Sequence, residues 1–430
     1  MAFMLVLLLI IVFYKLFISR DLLHPFLYFL IPWVLVLGTS VLDLYAISGQ
    51  ISSLAVEIVC VGLFAFIIGV SILPKTIGQT LSKHFHLTNP TQLRTGLLKV
   101  IIIFSAAFNL YMAFLTMQYI GSGISYAFVR DLIYSYSDSG ATYFQSTFAL
   151  NLYNLFDVPF TYIVMPLIII NLFKPILPRY LKYLAILSVA AYVFASGGRL
   201  IILFAAFQVV AILGYYKQSI PWRKYILAFV VGGVLLILVG VTTLYRAKQE
   251  TIGSAAVNPA YAYFNIVMPI LSRWTQDVSV SGVQGHGLAF FNGFMQLLDL
   301  VLNKIGYALT HYESIATMLT MPQNNWLQIY PGKWYNAFSS LFYDFYVDFR
   351  IPGVVMGSFI FGLLSKFLYL LVKFSAHERF LLPYLILVEV MAGSFMRWQL
   401  GTYTFLSAFL VAFFVIKGIK KQSFGEEIGQ

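Results

Sequence analysis

Apolar runs of bilayer-crossing length recur along the chain, and short polar connections between them carry most of the charge. A helix needs about 20 residues to cross the hydrocarbon core. Runs near that length fall at 2–18, 26–47, 52–73, 97–119, 150–173, 181–195, 199–216, 224–244, 352–374, 380–397 and 401–418. The pattern predicts an all-α polytopic membrane protein with eleven spans, forming one membrane domain over 1–430. The first run lacks a basic start and a small-residue cleavage site, so it reads as a retained helix.

Basic residues fall on alternate connections. Lys15 and Arg20; Lys75, Lys83, Arg94 and Lys99; Lys174, Arg179 and Lys182; Lys217, Arg223 and Lys224; Lys366, Lys373 and Arg379; and Lys417, Lys420 and Lys421 make eighteen of the twenty-seven. Under the positive-inside rule these mark the cytoplasmic face, which puts the N-terminus outside and the C-terminus inside. The net charge of +11 is mostly this topology signal, so nucleic acid is not implied as a partner. Composition agrees: 60% of residues are hydrophobic, 17% aromatic and 10% charged. The single cysteine, Cys60, lies in an apolar run and reads as packing.

Nine basic residues remain for the outer face: Arg130, Arg199, Arg246, Lys248, Arg273, Lys304, Lys333, Arg350 and Arg397. Six of these are arginine, and a planar guanidinium suits bidentate contact with phosphate. The long outer connections are 120–149 and 245–351. Within the second, Tyr261–Trp274 and Leu288–Asn303 read as interfacial or re-entrant helices, with Pro269 breaking the first and a glycine-rich turn around His286 between them. Inside the spans, Asp43 and Asp157 fall near outer ends and read as solvated, whereas Glu57 and Glu389 read as deeper.

The turn Ser196-Gly197-Gly198-Arg199 joins two apolar runs. From Lys182 to Ser196 a helix covers only about 21 Å, short of a hydrocarbon core of about 30 Å, so the turn is expected below the outer surface. Gly197, Gly198 and Arg199 would then offer backbone N–H groups, a helix N-terminus and a full charge to a diphosphate. No Walker-type glycine loop is present, so ATP is not expected to drive the chain. His84 and His86 lie on the cytoplasmic side without neighbouring ligands, and neither a metal nor another cofactor is expected.

A second constellation runs Asn336-Ala-Phe-Ser-Ser-Leu-Phe-Tyr-Asp-Phe-Tyr-Val-Asp-Phe-Arg-Ile-Pro-Gly353 into a late span. This stretch and the Ser-Gly-Gly-Arg turn resemble those of the oligosaccharide repeat-unit polymerases, the Wzy-type O-antigen and capsular polysaccharide polymerases. The many spans and the large late external loop, 245–351, are similar too. Arg350 stands where that pattern has glycine.

The resemblance implies a GT-C-like glycosyltransferase of the bacterial cytoplasmic membrane, metal-independent and acting at its outer face. Its partners would be undecaprenyl-diphosphate-linked oligosaccharide, the lipid membrane and a chain-length regulator protein. Such an enzyme must stabilise a departing diphosphate and position or deprotonate an acceptor hydroxyl. Arg199, Arg246 and Arg273 are the expected diphosphate contacts, and Arg350 adds a further cation. Asp277, His286, Glu313, Asp344 and Asp348 are candidate bases. Asp344 and Asp348 would share a helix face, where mutual repulsion raises one pKa or where they pair with Arg350 or Lys333. Tyr261, Tyr263, Trp326, Tyr330, Trp334 and Tyr335 are candidate sugar platforms. The rival readings are a lipid-linked oligosaccharide flippase and an O-antigen ligase.

Overall fold

A computed structural model describes residues 1–84, 92–134, 143–197, 200–216, 259–307, 309–375 and 378–417. The described chain is built of helices. They are α1 (Ala2–Phe13, continued as a π-helical turn over Tyr14–Ile18), α2 (Pro25–Leu42), α3 (Ser53–Ile72), α4 (Lys75–His84), α5 (Thr95–Gly121) and α6 (Tyr126–Tyr134). Next come α7 (Thr147–Phe173, with a π-helical turn at Tyr153–Asp157), α8 (Arg179–Ser196), α9 (Leu200–Tyr215), α10 (Pro259–Asn265), α11 (Val267–Ser281) and α12 (Asn292–Lys304). The last are α13 (Thr310–Asn324), α14 (Leu341–Phe349), α15 (Ile351–Ser375), α16 (Glu378–Ala392) and α17 (Tyr403–Val415). Two small antiparallel ladders join β1 (Gln92–Leu93) to β4 (Ile416–Lys417) and β2 (Leu327–Tyr330) to β3 (Lys333–Tyr335).

Helices α2, α3, α5, α7 and α15 are long and apolar enough to cross a membrane, and α1, α9 and α17 are shorter apolar helices. By helix length and hydropathy the chain is a multi-pass membrane protein. The five long spans are fewer than the eleven expected, for identifiable reasons. The run 224–244 lies outside the described residues. The run 181–195 becomes α8, where Arg179, Lys182 and three tyrosines dilute the hydropathy. The run 380–397 stops at Ala392, leaving a helix of 15 residues. Because α8 has 18 residues it is about 27 Å long, so the turn at Gly197 is less sunken than expected.

The bundle is held by aromatic packing and one close helix pair. Phe29 of α2 stacks on Phe66 of α3 with ring centroids 3.7 Å apart, and Phe342 of α14 wedges against Trp33 at 4.8 Å. Helix α15 runs against α3 where Gly69 meets Gly362. A Cβ on Gly69 would lie 2.3 Å from the Phe359 carbonyl oxygen, so the backbones meet only because side chains are missing there. At the end assigned to the cytoplasm, Lys373 and Tyr369 each donate to Asp21 at 2.6 Å, and Lys174 pairs with Glu378 at 2.6 Å. Basic residues that the charge pattern placed on separate connections thus converge at one end of the bundle.

Two of the intramembrane acids differ from expectation, Glu57 in depth and Asp157 in burial. Glu57 is exposed near the start of α3, where Ser52 caps the helix. Asp43 is partly exposed and accepts the Ile47 and Ser48 N–H groups at 2.8 and 3.1 Å. Asp157 is fully buried, because the π-helical turn ahead of it rotates it into the bundle. Glu389 makes a helix–helix contact, accepting a hydrogen bond from Gln208 at 3.3 Å.

In the described part of the connection 245–351 the helix break falls at Ile266. Pro269 sits in the first turn of α11, where a missing N–H costs nothing. The first half of α11 is buried, so it does not lie along the interface. Helix α12 does, as Phe291, Phe294, Leu298, Val301 and Ile305 form one exposed apolar stripe at helical spacing.

Candidate active site

Three irregular segments meet around the short helix α14, at the end of α15 opposite Lys373. The first, 282–291, follows α11; the second, 336–340, follows the β2–β3 hairpin; the third, 393–402, separates α16 from α17. Ser340 N–H donates to the Met396 carbonyl at 2.9 Å and Leu341 N–H to that of Ser394 at 2.8 Å, seaming the second segment to the third. Trp33 Nε1 donates to Ser394 Oγ at 3.0 Å, anchoring the seam to α2. Gly393, Ser394, Phe395, Trp398 and Gln399 are buried although their backbone is not α-helical. At membrane depth such backbone is tolerated only inside protein or beside a cavity.

Strain concentrates here. His286, Ala337, Ser340 and Arg350 have φ of 50°, 67°, 67° and 60°, in the left-handed region that favours glycine. Each such residue costs on the order of 1–3 kcal/mol and persists only where its surroundings impose it. Arg350 lies between α14 and α15, and its φ explains why the resembling pattern carries glycine at that place.

Asp344 and Asp348 share a face of α14 as expected, but their environments assign them different work. Asp348 Oδ1 accepts the N–H groups of Gly287 and Ala289, each at 2.9 Å, and Oδ2 accepts that of Phe290 at 2.8 Å. It is an anchor for the 282–291 turn. Gly285 is needed there, since a Cβ would come within 2.4 Å of Asp348 Oδ1. Burial pushes the Asp348 carboxyl up while the three donors pull it down.

Asp344 is buried beneath the 393–402 seam, and burial pushes its carboxyl up to about 8 against the pull of the Trp398 backbone N–H and the Arg397 charge. Repulsion from Asp348 is the smallest contribution, so desolvation rather than like-charge proximity sets this acid apart. Neither acid forms an ion pair with Arg350 or Lys333 among the described residues, contrary to one expectation.

Arg397 was legible only as one of nine outer basic residues, yet the structure puts it at the centre. Its Nη1 donates to Gln323 Oε1 at 3.3 Å and its Nε to Gln399 Oε1 at 3.4 Å, so two neutral amides orient the guanidinium beside Asp344. Arg350 Nη2 donates to the Val278 carbonyl at 3.0 Å, and its guanidinium lies 5.4 Å from the Tyr346 ring centre. Its Nη1 is buried with no hydrogen-bond partner among the described residues, leaving a donor uncommitted.

Other expected residues stand further out. Arg273 is exposed and pairs with Asp277 at 3.5 Å one turn along α11. His286 is exposed, its ring 5.7 Å from Phe349, and Glu313 is exposed at the start of α13. Gly197 closes α8 with φ 59°, while Gly198, Arg199 and Arg246 lie outside the described residues. Among the aromatic candidates, Tyr261 donates to the Thr39 carbonyl at 2.6 Å and Tyr330 accepts from Asn265 at 3.3 Å, so both serve packing. Trp326 and Trp334 are 55% and 56% exposed, and the hairpin register places them on one face, where they remain available for stacking on sugar.

No family model, curated protein or solved structure matches the chain.

Proposed function

We propose that this protein is a glycosyltransferase that joins undecaprenyl-diphosphate-linked oligosaccharide repeat units at the outer face of the bacterial cytoplasmic membrane, with eleven spans and an N-outside topology. The observation that carries the reading is the pairing of a buried acid, Asp344, with an amide-oriented guanidinium, Arg397, under irregular backbone at the outer end. Such a pair meets the two demands of glycosyl transfer from a diphosphate: a proton acceptor and a cation for the leaving group.

In this scheme the acceptor hydroxyl oxygen attacks the donor sugar C1. The C1–O bond to the lipid diphosphate breaks, its electron pair leaving with the diphosphate. The hydroxyl proton passes to the Asp344 carboxylate, while Arg397 and the uncommitted Arg350 Nη1 offer donors to the developing charge. Arg199, Arg246 and Arg273 are proposed as the outer diphosphate contacts, and Trp326 and Trp334 as the sugar platform. Asp344 needs its ionised form to act, and a carboxyl at about 8 is a stronger base than an ordinary aspartate.

Purified protein supplied only with the lipid-linked repeat unit should yield a ladder of longer products. Transport of the unit across liposomes without any ladder would assign the chain to the flippases instead.

A further inference from the structure

A second buried polar cluster lies away from the outer seam, among α5, α7 and α8. Asn109 Nδ2 lies 3.1 Å from each of the hydroxyls of Ser105, Thr161 and Ser188, two of which its hydrogens can serve at once. Ser105 Oγ lies 3.1 Å from Thr161 Oγ1 and 3.0 Å from Ser188 Oγ. All four residues are fully buried. Asp157 sits one turn before Thr161 on the same helix face, and it too has no exposed surface.

The cluster is rich in acceptors that nothing satisfies. Both carboxyl oxygens of Asp157 and the Oδ1 of Asn109 are buried without a hydrogen-bond partner among the described residues. A buried carboxylate with no partner and a buried acceptor with no donor are both unfavourable unless something meets them. A proton on Asp157 would remove the charge and could be donated to the Asn109 oxygen, but it would leave the second Asp157 oxygen unmet. A cation between them answers all three.

We propose that the Asp157 carboxylate and Asn109 Oδ1, backed by the hydroxyls of Thr161, Ser105 and Ser188, form a binding site for a monovalent alkali cation at the contact of α5, α7 and α8. The unmet acceptors are all oxygen, which suits a hard cation. The site's single carboxylate balances one charge, whereas a divalent ion would leave net charge in the membrane interior. The π-helical turn Tyr153–Asp157 packs against α5 and ends on Asp157. The site involves none of the residues assigned to glycosyl transfer, so it stands or falls separately from that reading.

The test uses the full-length protein in nanodiscs at constant ionic strength, with chloride salts of sodium, potassium or choline and 22Na as the binding probe. Saturable binding of one sodium or potassium ion per chain is expected, with a higher unfolding midpoint in that salt than in choline. Asp157→Asn should weaken this binding about tenfold or more while unfolding in choline no earlier than the native protein, because it removes an unpaired charge. Ser188→Ala should weaken it less and fold normally. Equal midpoints in all three salts with no saturable binding would mean a protonated carboxyl only, and the proposal would fail. Binding unchanged in Asp157→Asn would place any cation elsewhere and overturn it equally.

Discussion

Asp348→Asn tests the anchoring role of this carboxylate. In the native protein one carboxylate oxygen takes two N–H groups and the other takes one, at 2.8–2.9 Å. The amide can keep its oxygen on Gly287 and Ala289, but its NH2 then faces the Phe290 N–H, donor against donor. The change loses one charge-assisted bond and leaves one half-buried N–H without an acceptor, a cost of about 2–3 kcal/mol. At 1.4 kcal/mol per decade, the opening equilibrium of the 285–290 turn should rise roughly 30- to 150-fold. Hydrogen exchange on protein in nanodiscs would read this directly. Protection should fall at Gly287, Ala289 and Phe290 while amides of α3 and α15 keep theirs. Unchanged protection at those three positions would refute the anchoring role, and uniform loss across the bundle would refute its local character.

Further expectations follow from the same geometry. Chain elongation should climb with pH through about 8 as Asp344 ionises, and Asp344→Asn should abolish elongation with the protein still folded. The sign for stability is opposite: the folded state holds the Asp344 proton more tightly than the unfolded chain, so the contribution of this group falls as pH rises from the ordinary aspartate range towards 8. Thermal unfolding across that window should show the fall in the native protein and not in Asp344→Asn. Arg397→Lys should lower elongation roughly a hundredfold, because an ammonium cannot engage Gln323, Gln399 and an anion together as a planar fork does. Arg350→Gly should be more stable than Arg350→Ala by about 1–3 kcal/mol in thermal unfolding, since both lose the Val278 contact but only glycine relieves the positive φ.

The membrane class, the convergence of basic residues at one end and the shared face of Asp344 and Asp348 were all legible from spacing and charge, because each depends on local periodicity. Arg350 was also marked, as the residue standing where the resembling pattern has glycine, and its left-handed φ supplies the physical reason. The role of Arg397 was hidden. Hydropathy runs almost unbroken from 380 to 418, so nothing announced that the helix stops at Ala392 and that irregular backbone carries the arginine inward. Asp157 was misjudged because its burial depends on a π-helical turn, which shifts every later side chain around the helix without changing the composition. The fate of Asp348 depended on long-range contact with a turn about sixty residues upstream, which no local pattern encodes.

The most direct measurement follows the lipid carrier. Each glycosidic bond made by transfer from a lipid diphosphate releases one undecaprenyl diphosphate. Purified protein incubated with a defined lipid-linked repeat unit should therefore show, by mass spectrometry, one equivalent of free lipid diphosphate for every new linkage, with both lost in Asp344→Asn. Intact donor with no released carrier and no joined repeat units, under conditions where the protein is folded and the donor is accessible from the outer face, would contradict glycosyl transfer by this chain.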